Sequence, residues 1–440
     1  MEKGCRFFSA SSSIELKLYE ELDWQALNAK YKNTCIHSHT LSAKEPDWAD
    51  KLAAQWMDTV KGVYKAKGLE EDFISKPVVQ TQGKEFSKAI DSEFGTIDFN
   101  SPDYVLREAI KKNTWDFSVA KNYNDNIRLN NLLLNPDGSL RSWSDFKYEA
   151  QKVVGDSIKY LKTEYDTIVA SAQMSRIWQD LQRTKDIFPY VQIVVVKDDR
   201  TSDTCAPLAD VIFSVDDPAL MYYWPPNHFN CRTTIKKLRY GVPTAKYDLP
   251  EIPEEFRNNT GVTGQVFTPE NSYIANTPKE VLLLSDSFYK AQNEYDKYNT
   301  SDYYDVELNT SNGVKATHKG HSFDPKTGHY EKEVQKILYE KGNRIILTDE
   351  RSDIPGKKVD GILNQQTFDI SSILGDGKNA IKRAFQHSEA KKAEVAIIHF
   401  PNASLYSKSR ITQGIRMYQG QTKYRFKAII IVVDGSYFYI

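Results

Sequence analysis

The sequence predicts a multidomain α+β protein with a mostly α-helical first part, a small β element, an extended connector and a small C-terminal α/β domain. The chain has 440 residues, which is more than one hydrophobic core usually organises. Its apolar residues follow a helical period through much of the first 188 residues, and strand-like and helical runs alternate after residue 311. Residues 241–310 lie between these parts, lack a sustained period and carry 12 acidic against 5 basic side chains.

The composition excludes several classes of protein. A hydrophobic share of 40% and a charged share of 27% are typical of a globular chain. No apolar run is long enough to span a bilayer, and the first residues lack a signal-peptide core, so we expect synthesis in a cytoplasm and no membrane span. The four cysteines, Cys5, Cys35, Cys205 and Cys231, are too few and too scattered for a disulfide scaffold.

Residues 1–100 are predicted to form a helical N-terminal region, and helices continue to about residue 188. In the stretch "EPDWADKLAAQWMDTVKGVYKAKG" apolar side chains recur at three- and four-residue steps, and Gly68 is placed to end the helix. Ser101 followed by Pro102 predicts the start of another helix, as a cap with proline at the first helical position. Residues 142–188 predict two long helices or one interrupted helix. We interpret these helices as the core of a domain, the alternative being a surface that docks on another large protein.

A small β element follows the helices and surrounds an irregular segment. The apolar run from Val191 to Val196 predicts a buried strand, "KDDRTSD" predicts a turn, and "TTIKKL" predicts a strand that returns beside the first. Between them stand Cys205, His228 and Cys231, whose thiol and imidazole groups are soft ligands that suit zinc.

The number of ligands leaves the role of this Cys/His group open. A closed structural zinc site needs four ligands and the motif supplies three, although Asp203 or Asp210 would complete it. The alternative is a metal-free cross-brace, in which His228 hydrogen-bonds to the backbone and the thiols pack as small apolar groups. In either case the group ties together the two ends of a long irregular segment.

The stretch "DDRTSDTCAPLADVIF…WPPNHFNCRTT" resembles the Mu-type head-morphogenesis (MuF) family of minor head proteins of tailed phages. The family pattern is a D-x-R-T-x-x-x-C turn followed by P-P-x-H-x-N-C-R-C. The matching positions, in order, are Asp198 or Asp199, Arg200, Thr201, Cys205, Pro225, Pro226, His228, Asn230, Cys231 and Arg232. The resemblance covers about residues 105–240, and we assign residues 101–240 to this domain. Thr233 stands where the family has its last cysteine, and Leu208 stands where some relatives have a second upstream cysteine.

This resemblance implies a protein of the virion that joins the capsid near the portal and is needed for head assembly. Its expected partners are the phage portal and capsid proteins. Its expected location is the head interior or the portal vertex, after synthesis in the cytoplasm of the bacterial host.

Residues 311–440 predict a small α/β domain with the element order α-β-β-β-α-β-α-β. "YEKEVQKILYEKGN" has the pattern of an amphipathic helix that ends at Gly342. Three strand-like stretches follow: "RIILTDE", "KKVDGILN" and "QTFDISSI". Two helix–strand pairs come next: the helix "NAIKRAFQHSEAKKA" with the strand "EVAIIHFP", and the helix "RITQGIRMYQGQ" with one or two terminal strands. This part carries 21 basic against 13 acidic side chains and five of the eight histidines. Such a balance favours an anionic partner such as nucleic acid, the alternative being a solvated lysine-rich surface.

Carboxylates in this domain predict a site for a divalent ion such as Mg²⁺ or Mn²⁺. Glu331 or Glu333 on the first helix, Asp360, and Asp369 on a later strand can converge on an ion that faces a phosphate. The order helix-Glu, strand-Asp, strand-(D/E)xK resembles the PD-(D/E)xK nuclease superfamily. The whole domain looks more closely like the toxin ends of contact-dependent inhibition proteins, several of which cleave tRNA. The family lysine falls at Ser371, and we expect Lys378 or Lys382 to replace it, the alternative being a domain that binds without cleaving.

Histidines offer a second mechanism on the same domain. His318, His321 and His329 lie close together in the sequence and His387 follows on a later helix. One of them would act as base toward the 2′-hydroxyl of RNA, and a second group as acid, in metal-free cleavage. That chemistry is similar to the barnase and colicin type of toxin nuclease. The alternative is that "HKGH" is a solvated lead-in segment.

Basic side chains near the end of the chain are candidates for phosphate binding under either mechanism. They are Lys382, Arg383, Lys391, Lys392, Lys423, Arg425 and Lys427. We expect RNA, tRNA in particular, rather than DNA as substrate, and an immunity protein as a further partner. Two functions follow as hypotheses: a head-morphogenesis protein that carries a nuclease-like toxin domain, or an RNA- or DNA-cleaving effector whose first part serves only for packaging or delivery.

Overall fold

The computed structural model describes residues 48–70, 73–245, 249–351 and 358–440. The chain divides into two compact units, of which the first ends at Leu282 and the second spans Leu283–Ile440. Residues 1–47 of the predicted N-terminal region, and with them Cys5 and Cys35, lie outside the described residues.

The first unit is built mainly from five long helices. They are α1 (Ala49–Ala66), α2 (Lys76–Phe94), α3 (Pro102–Asn131), α4 (Trp143–Lys159) and α5 (Leu161–Thr184). The periodic residues of α1 are buried, as predicted: they are Trp48, Leu52, Trp56, Val60 and Val63. Helix α3 begins where Ser101 accepts a hydrogen bond from the backbone N–H of Tyr104 at 3.3 Å, with proline at the first helical position, and so confirms the predicted cap.

The predicted boundary at residue 100 does not separate two domains. Side chains of α1 and α2, such as Trp56 and Phe86, share one hydrophobic core with Phe146 of α4 and Ile168 of α5. Helix α2 also lies close against α3, because a β-carbon at Gly83 would stand 2.4 Å from the ring of Trp115. The helices before and after residue 100 therefore bury their apolar faces together.

A three-stranded antiparallel sheet follows the helices and confirms the predicted β element. Its strands are β1 (Tyr190–Val194), β2 (Ile212–Ser214) and β3 (Thr234–Leu238), with β1 in the centre. The stretch "TTIKKL" does return beside the first strand, and Ile193 pairs with Ile235. The segment between β2 and β3 contains the single-turn helix α6 (Leu220–Tyr223) and leads to Trp224, which is fully buried.

The predicted extended connector, 241–310, is not one connector in the structure. Its earlier part belongs to the first unit and its later part to the second. The earlier part contains three short helices, α7 (Thr260–Thr263), α8 (Ser272–Ala275) and α9 (Lys279–Leu282). The later part contains α10 (Leu284–Tyr298) and β4 (Tyr303–Leu308).

Side chains rather than a regular ladder hold the earlier part of this segment to the helices. Asn113 of α3 accepts hydrogen bonds from the backbone N–H groups of Val266 and Phe267 at 2.8 and 2.9 Å. It also donates one to the carbonyl of Phe267 at 2.9 Å. The ring of Phe267 stacks on that of Phe117 at a centroid distance of 3.6 Å. The segment lacks a sequence period because its backbone groups pair with such side chains, and this satisfies them without helix or sheet.

The second unit contains one eight-stranded mixed sheet with the order β11-β10-β9-β8-β7-β6-β5-β4. The remaining elements are β5 (Val314–His318), α11 (Gly328–Glu340), β6 (Arg344–Leu347), β7 (Gly361–Leu363), β8 (Gln366–Ser372), α12 (Ala380–Ala390), β9 (Val395–Phe400), α13 (Lys408–Gln419), β10 (Ala428–Val433) and β11 (Ser436–Tyr439). Strands β8, β9 and β10 run parallel, as do β5 and β6, and the other neighbours are antiparallel.

Helices cover both faces of this sheet. Helix α11 packs Val334 and Leu338 into a core with Phe368 and Ile397. Helices α12 and α13 form a second core on the alternate residues of the same strands, such as Ile398. The predicted order α-β-β-β-α-β-α-β is present from α11 to β10. Strands β4 and β5 were not predicted. The stretch "HKGH", for which a solvated lead-in was the alternative interpretation, begins with His318, the last residue of the paired strand β5.

No helix in the described part of the chain combines the length and the apolar character that crossing a bilayer requires.

Candidate functional site

The Cys/His brace, defined as Cys205, His228 and Cys231, lies in the first unit where two loops meet. Cys205 precedes a short 3₁₀ turn between β1 and β2, and the other two residues stand in the turn before β3. The two sulfur atoms are 3.6 Å apart, and both cysteines are buried with free thiols. The structure therefore brings together the three residues that the sequence pattern singled out.

Hydrogen bonds set the charges within the brace. The Cys205 thiol hydrogen-bonds to Cys231 and holds the pKa of Cys231 well below that of a free thiol, and His228 contributes to the same shift. That bond raises the pKa of Cys205. Burial lowers the pKa of His228, but the hydrogen bond to Cys231, the charge of Cys231 and the hydrogen bond to the Phe229 carbonyl together outweigh burial and leave the pKa above its ordinary value. The arrangement favours a Cys231 thiolate beside a His228 imidazolium, with Cys205 as a neutral thiol.

Further contacts fix the two loops to each other. His228 Nε2 lies 2.8 Å from Ser202 Oγ, and His228 Nδ1 lies 2.7 Å from the carbonyl oxygen of Phe229. Arg232 donates from both terminal nitrogens to the carboxylate of Asp198, at 2.8 and 2.6 Å. The turn that begins at Asp198 and the turn that ends at Arg232 are therefore joined by a fork-shaped ion pair.

The brace fits a soft metal ion such as Zn²⁺, although it supplies three ligands. The ligand atoms of its three residues all lie within 4.8 Å of one another, and thiolate and imidazole are the ligands that zinc prefers. Neither Asp203 nor Asp210 joins this group among the described residues, and Asp210 instead binds Lys197 at 2.8 Å. The hydroxyl of Thr233 hydrogen-bonds to Cys205, which places a weak neutral ligand where the family pattern has a cysteine.

A second group of charged residues, here called the Asp–Lys cluster, consists of Asp360, Asp369 and Lys391. Asp360 precedes β7, Asp369 lies on β8 and Lys391 caps the C-terminal end of α12. Lys391 Nζ lies 2.5 Å from Asp360 Oδ1 and 2.7 Å from Asp369 Oδ1. The two aspartates that the sequence predicted to converge do so, and the basic residue between them was expected only to bind phosphate.

The pKa values of the two carboxyl groups shift in opposite directions. Burial, with the nearby charge of Asp369, raises the pKa of Asp360 to about 7. Burial alone would also raise the pKa of Asp369, but the hydrogen bond from His387 and the charge of Lys391 hold it below its ordinary value. His387 Nδ1 and Ser388 Oγ lie 3.1 and 2.7 Å from Asp369 Oδ2. Ser388 was absent from the sequence-based prediction, because its helical position alone does not show that it faces a strand.

The other predicted carboxylates and histidines are engaged elsewhere. His321 Nε2 lies 3.0 Å from Glu331 Oε2, and His321 Nδ1 lies 3.6 Å from Glu350 Oε2. The side chain of His321 is fully buried, which argues against its role as a base toward RNA. His318 accepts a hydrogen bond from the backbone N–H of Gly320 at 2.9 Å.

Glu333 and the buried His399 form a separate contact at 4.0 Å. His399 also lies 3.1 Å from Ser372 Oγ, and burial lowers its pKa to about 4. Nothing in the spacing of the sequence pointed to His399, because it is the next-to-last residue of an otherwise apolar strand.

The predicted phosphate-binding residues are spread over the second unit. Arg383, Lys392, Lys423, Arg425 and Lys427 are exposed, and Lys427 pairs with Glu394 at 2.5 Å. Lys382, the expected replacement for the family lysine, has neither aspartate as a partner within the described residues; Lys391 holds that place.

Comparison with known proteins identifies part of the first unit. The family model described as "Phage Mu protein F like protein" matches residues 138–236. A relative described as "Putative capsid assembly protein F", from Escherichia phage Mu, is 31% identical over 94 residues, which are 21% of this chain and 21% of that protein. The chain thus matches about a fifth of the length of this curated relative. No solved structure matches the chain. Residues 138–236, which run from α4 into β3 and contain the Cys/His brace, are therefore similar to phage Mu protein F.

Proposed function

We propose that this protein is a minor head protein of a tailed phage or prophage and acts in head morphogenesis. The match of residues 138–236 to the Mu protein F family carries the proposal, and the name of the phage Mu relative supports it. Portal and capsid proteins are its proposed partners. The virion, in the head interior or at the portal vertex, is its proposed location after synthesis in the bacterial cytoplasm.

The brace gives this proposal a structural basis. The segment between Cys205 and His228 contains a 3₁₀ turn, the short strand β2 and the single-turn helix α6, joined by loops. Because these elements are short, tying the ends of the segment helps its surface to keep one shape. Cys205 at one end and His228 with Cys231 at the other provide that tie, and the Asp198–Arg232 pair reinforces it. We propose that the segment so held contacts another head protein.

Complementation tests the proposal. A phage that lacks this reading frame is supplied with the chain, and purified particles are examined by electron microscopy and mass spectrometry. We expect the wild-type chain to restore filled heads and to be present in them, and Cys231→Ala to restore few. The matched change Asp369→Ala, in the other unit, should restore heads fully. Normal heads without any copy of the chain would contradict the proposal.

We propose, as a second function, that the unit spanning Leu283–Ile440 is a nuclease-like toxin domain that acts on RNA, tRNA in particular. The observation that favours it is the Asp–Lys cluster, in which two buried carboxylates converge on one lysine. Perturbed ionisable groups of this kind gather at functional sites more often than elsewhere. The excess of basic side chains after residue 311 supports an anionic substrate, and an immunity protein is a proposed further partner.

Expression of the full chain in bacteria tests this second function. We expect growth arrest with cleaved tRNA, relieved by Asp369→Ala and not by His318→Ala. Arrest that His318→Ala relieves and Asp369→Ala does not would favour the histidine mechanism. Intact growth and intact RNA, in a host that lacks any immunity protein, would contradict a toxin function.

A further inference from the structure

The Asp–Lys cluster already contains a cation at the point where its two carboxylates converge. Lys391 Nζ is 2.5 Å from Asp360 Oδ1 and 2.7 Å from Asp369 Oδ1. A Mg²⁺ ion would need to lie about 2.0–2.1 Å from such oxygens. The ammonium and the ion would therefore compete for the same space between the two carboxylates.

The remaining carboxylate oxygens are also occupied by donors. Asp360 Oδ2 accepts a hydrogen bond from the backbone N–H of Ile370 at 2.7 Å. Asp369 Oδ2 accepts one from Ser388 Oγ at 2.7 Å and lies 3.1 Å from Nδ1 of His387. Three of the four carboxylate oxygens thus accept a hydrogen bond from the protein. The fourth, Asp369 Oδ1, has no hydrogen bond but lies 2.7 Å from the Lys391 ammonium, so a metal ion that binds both carboxylates would have to displace Lys391.

The cluster lacks a third acidic ligand. Glu331, which the sequence predicted for this role, binds His321 at 3.0 Å. A candidate metal site needs at least three His, Cys, Asp or Glu side chains whose ligand atoms lie close together. Among the described residues the Cys/His brace meets this condition, whereas Asp360 and Asp369 belong to no such group. Waters complete the six oxygen ligands of Mg²⁺ and Mn²⁺ where a protein supplies one or two carboxylates. The residues present fit such an ion poorly because the Lys391 ammonium stands where the two carboxylates would hold it.

We infer that the ammonium of Lys391 takes the place of a divalent ion between Asp360 and Asp369, so that the cluster binds a phosphate group of RNA without Mg²⁺ or Mn²⁺. The RNA part of this inference rests on the second proposed function. Exposure supports it, because 18% of the Lys391 side chain is exposed against 7% for Asp360 and 0% for Asp369. An approaching phosphate oxygen meets the lysine before either carboxylate, and a charge-assisted hydrogen bond to an ammonium suits it.

Binding of Mn²⁺ to the full chain, followed by electron paramagnetic resonance of the free ion, tests the metal part. We expect the wild type and Asp369→Asn to bind the same number of Mn²⁺ ions. Lys391→Met should bind one ion more, and the double variant Lys391→Met with Asp369→Asn should lose that additional ion. A wild type that binds one more ion than Asp369→Asn would overturn the inference. If circular dichroism shows that Lys391→Met does not fold, the comparison of the wild type with Asp369→Asn decides.

Binding of fluorescent tRNA to the full chain tests the phosphate part. We expect equal affinity in EDTA and in Mg²⁺ at matched ionic strength, and about tenfold weaker binding for Lys391→Met. The control Lys336→Met changes an exposed lysine on α11 and should bind like the wild type. Binding that EDTA abolishes and Mg²⁺ restores, or that Lys391→Met leaves unchanged, would overturn the inference. Absence of tRNA binding under every condition would instead remove the second proposed function, and the Mn²⁺ titration would still decide whether the cluster takes a metal.

Discussion

Removal of the buried Lys121 ammonium is expected to destabilise the first unit strongly. Lys121 of α3 is 1% exposed and Glu164 of α5 is 5% exposed. Lys121 Nζ lies 2.6 and 2.7 Å from the two carboxylate oxygens and 2.9 Å from the carbonyl of Ser157. Breaking a buried pair by removing one partner costs about 3–5 kcal/mol, because the other charge stays buried without compensation. We therefore expect Lys121→Met to lower the free energy of unfolding by about that amount.

The double variant Lys121→Met with Glu164→Leu separates the pair from its packing. Replacing both charges by apolar groups of similar volume is often neutral or stabilising, so the double variant should recover most of the loss. Lys112→Met on the same helix removes a half-buried lysine that pairs with Asp116. Such i,i+4 pairs contribute about 0.3–0.5 kcal/mol, which makes Lys112→Met the matched control.

The assay is urea unfolding followed by tryptophan fluorescence. All seven tryptophans precede Leu283, so the signal follows the first unit alone, and the midpoint and slope give the free energy of unfolding.

The pH dependence gives a second test of the same pair. Burial raises the pKa of Glu164, so between the unfolded and the folded pKa the folded state binds a proton that the unfolded state does not. That linkage makes stability rise as the pH falls through the folded pKa. Without Lys121 the proton is bound more readily, and we expect the loss in Lys121→Met to be smaller at pH 5 than at pH 8. Equal losses in the single and double variants at both pH values would show that the buried pair is not the cause.

Three further changes test other contacts. Gly83→Ala puts a β-carbon 2.4 Å from the ring of Trp115 and should cost about 1–3 kcal/mol by overpacking, measured by the same unfolding assay; an unchanged midpoint would show that the two helices separate freely. Asn113→Ala leaves two buried N–H groups of the segment around Phe267 without an acceptor, and should cost about 2–3 kcal/mol and open that segment to limited proteolysis, whereas a protected segment would show that ring stacking alone holds it. Thr233→Cys supplies the fourth soft ligand beside the brace and should tighten zinc binding in competition with a chromogenic chelator, and equal affinity would show that position 233 does not face the ion.

The helical part of the fold and the brace were predictable because each is marked by a pattern within short stretches of the chain. The apolar period of α1 and the Ser101–Pro102 start of α3 appear within single turns of a helix, and both predictions are confirmed. The brace was predictable because many fixed positions on two turns match one family pattern, and residues 138–236 match the family model. The structure divides the predicted connector between the two units, and no local pattern indicated this, because contacts such as that of Asn113 with Phe267 join residues 154 positions apart.

The sequence by itself determined which elements form and which residue types bear charge, since capping, periodicity and turn chemistry act over a few neighbouring residues. Only the tertiary structure decided which lysine meets the two aspartates. Nearness in the chain favoured Lys382, but the C-terminal end of α12 lies where β7 and β8 meet, and there Lys391 reaches both carboxylates. Burial then shifts the pKa values of these groups, and burial is a property of packing between distant segments that no local pattern contains.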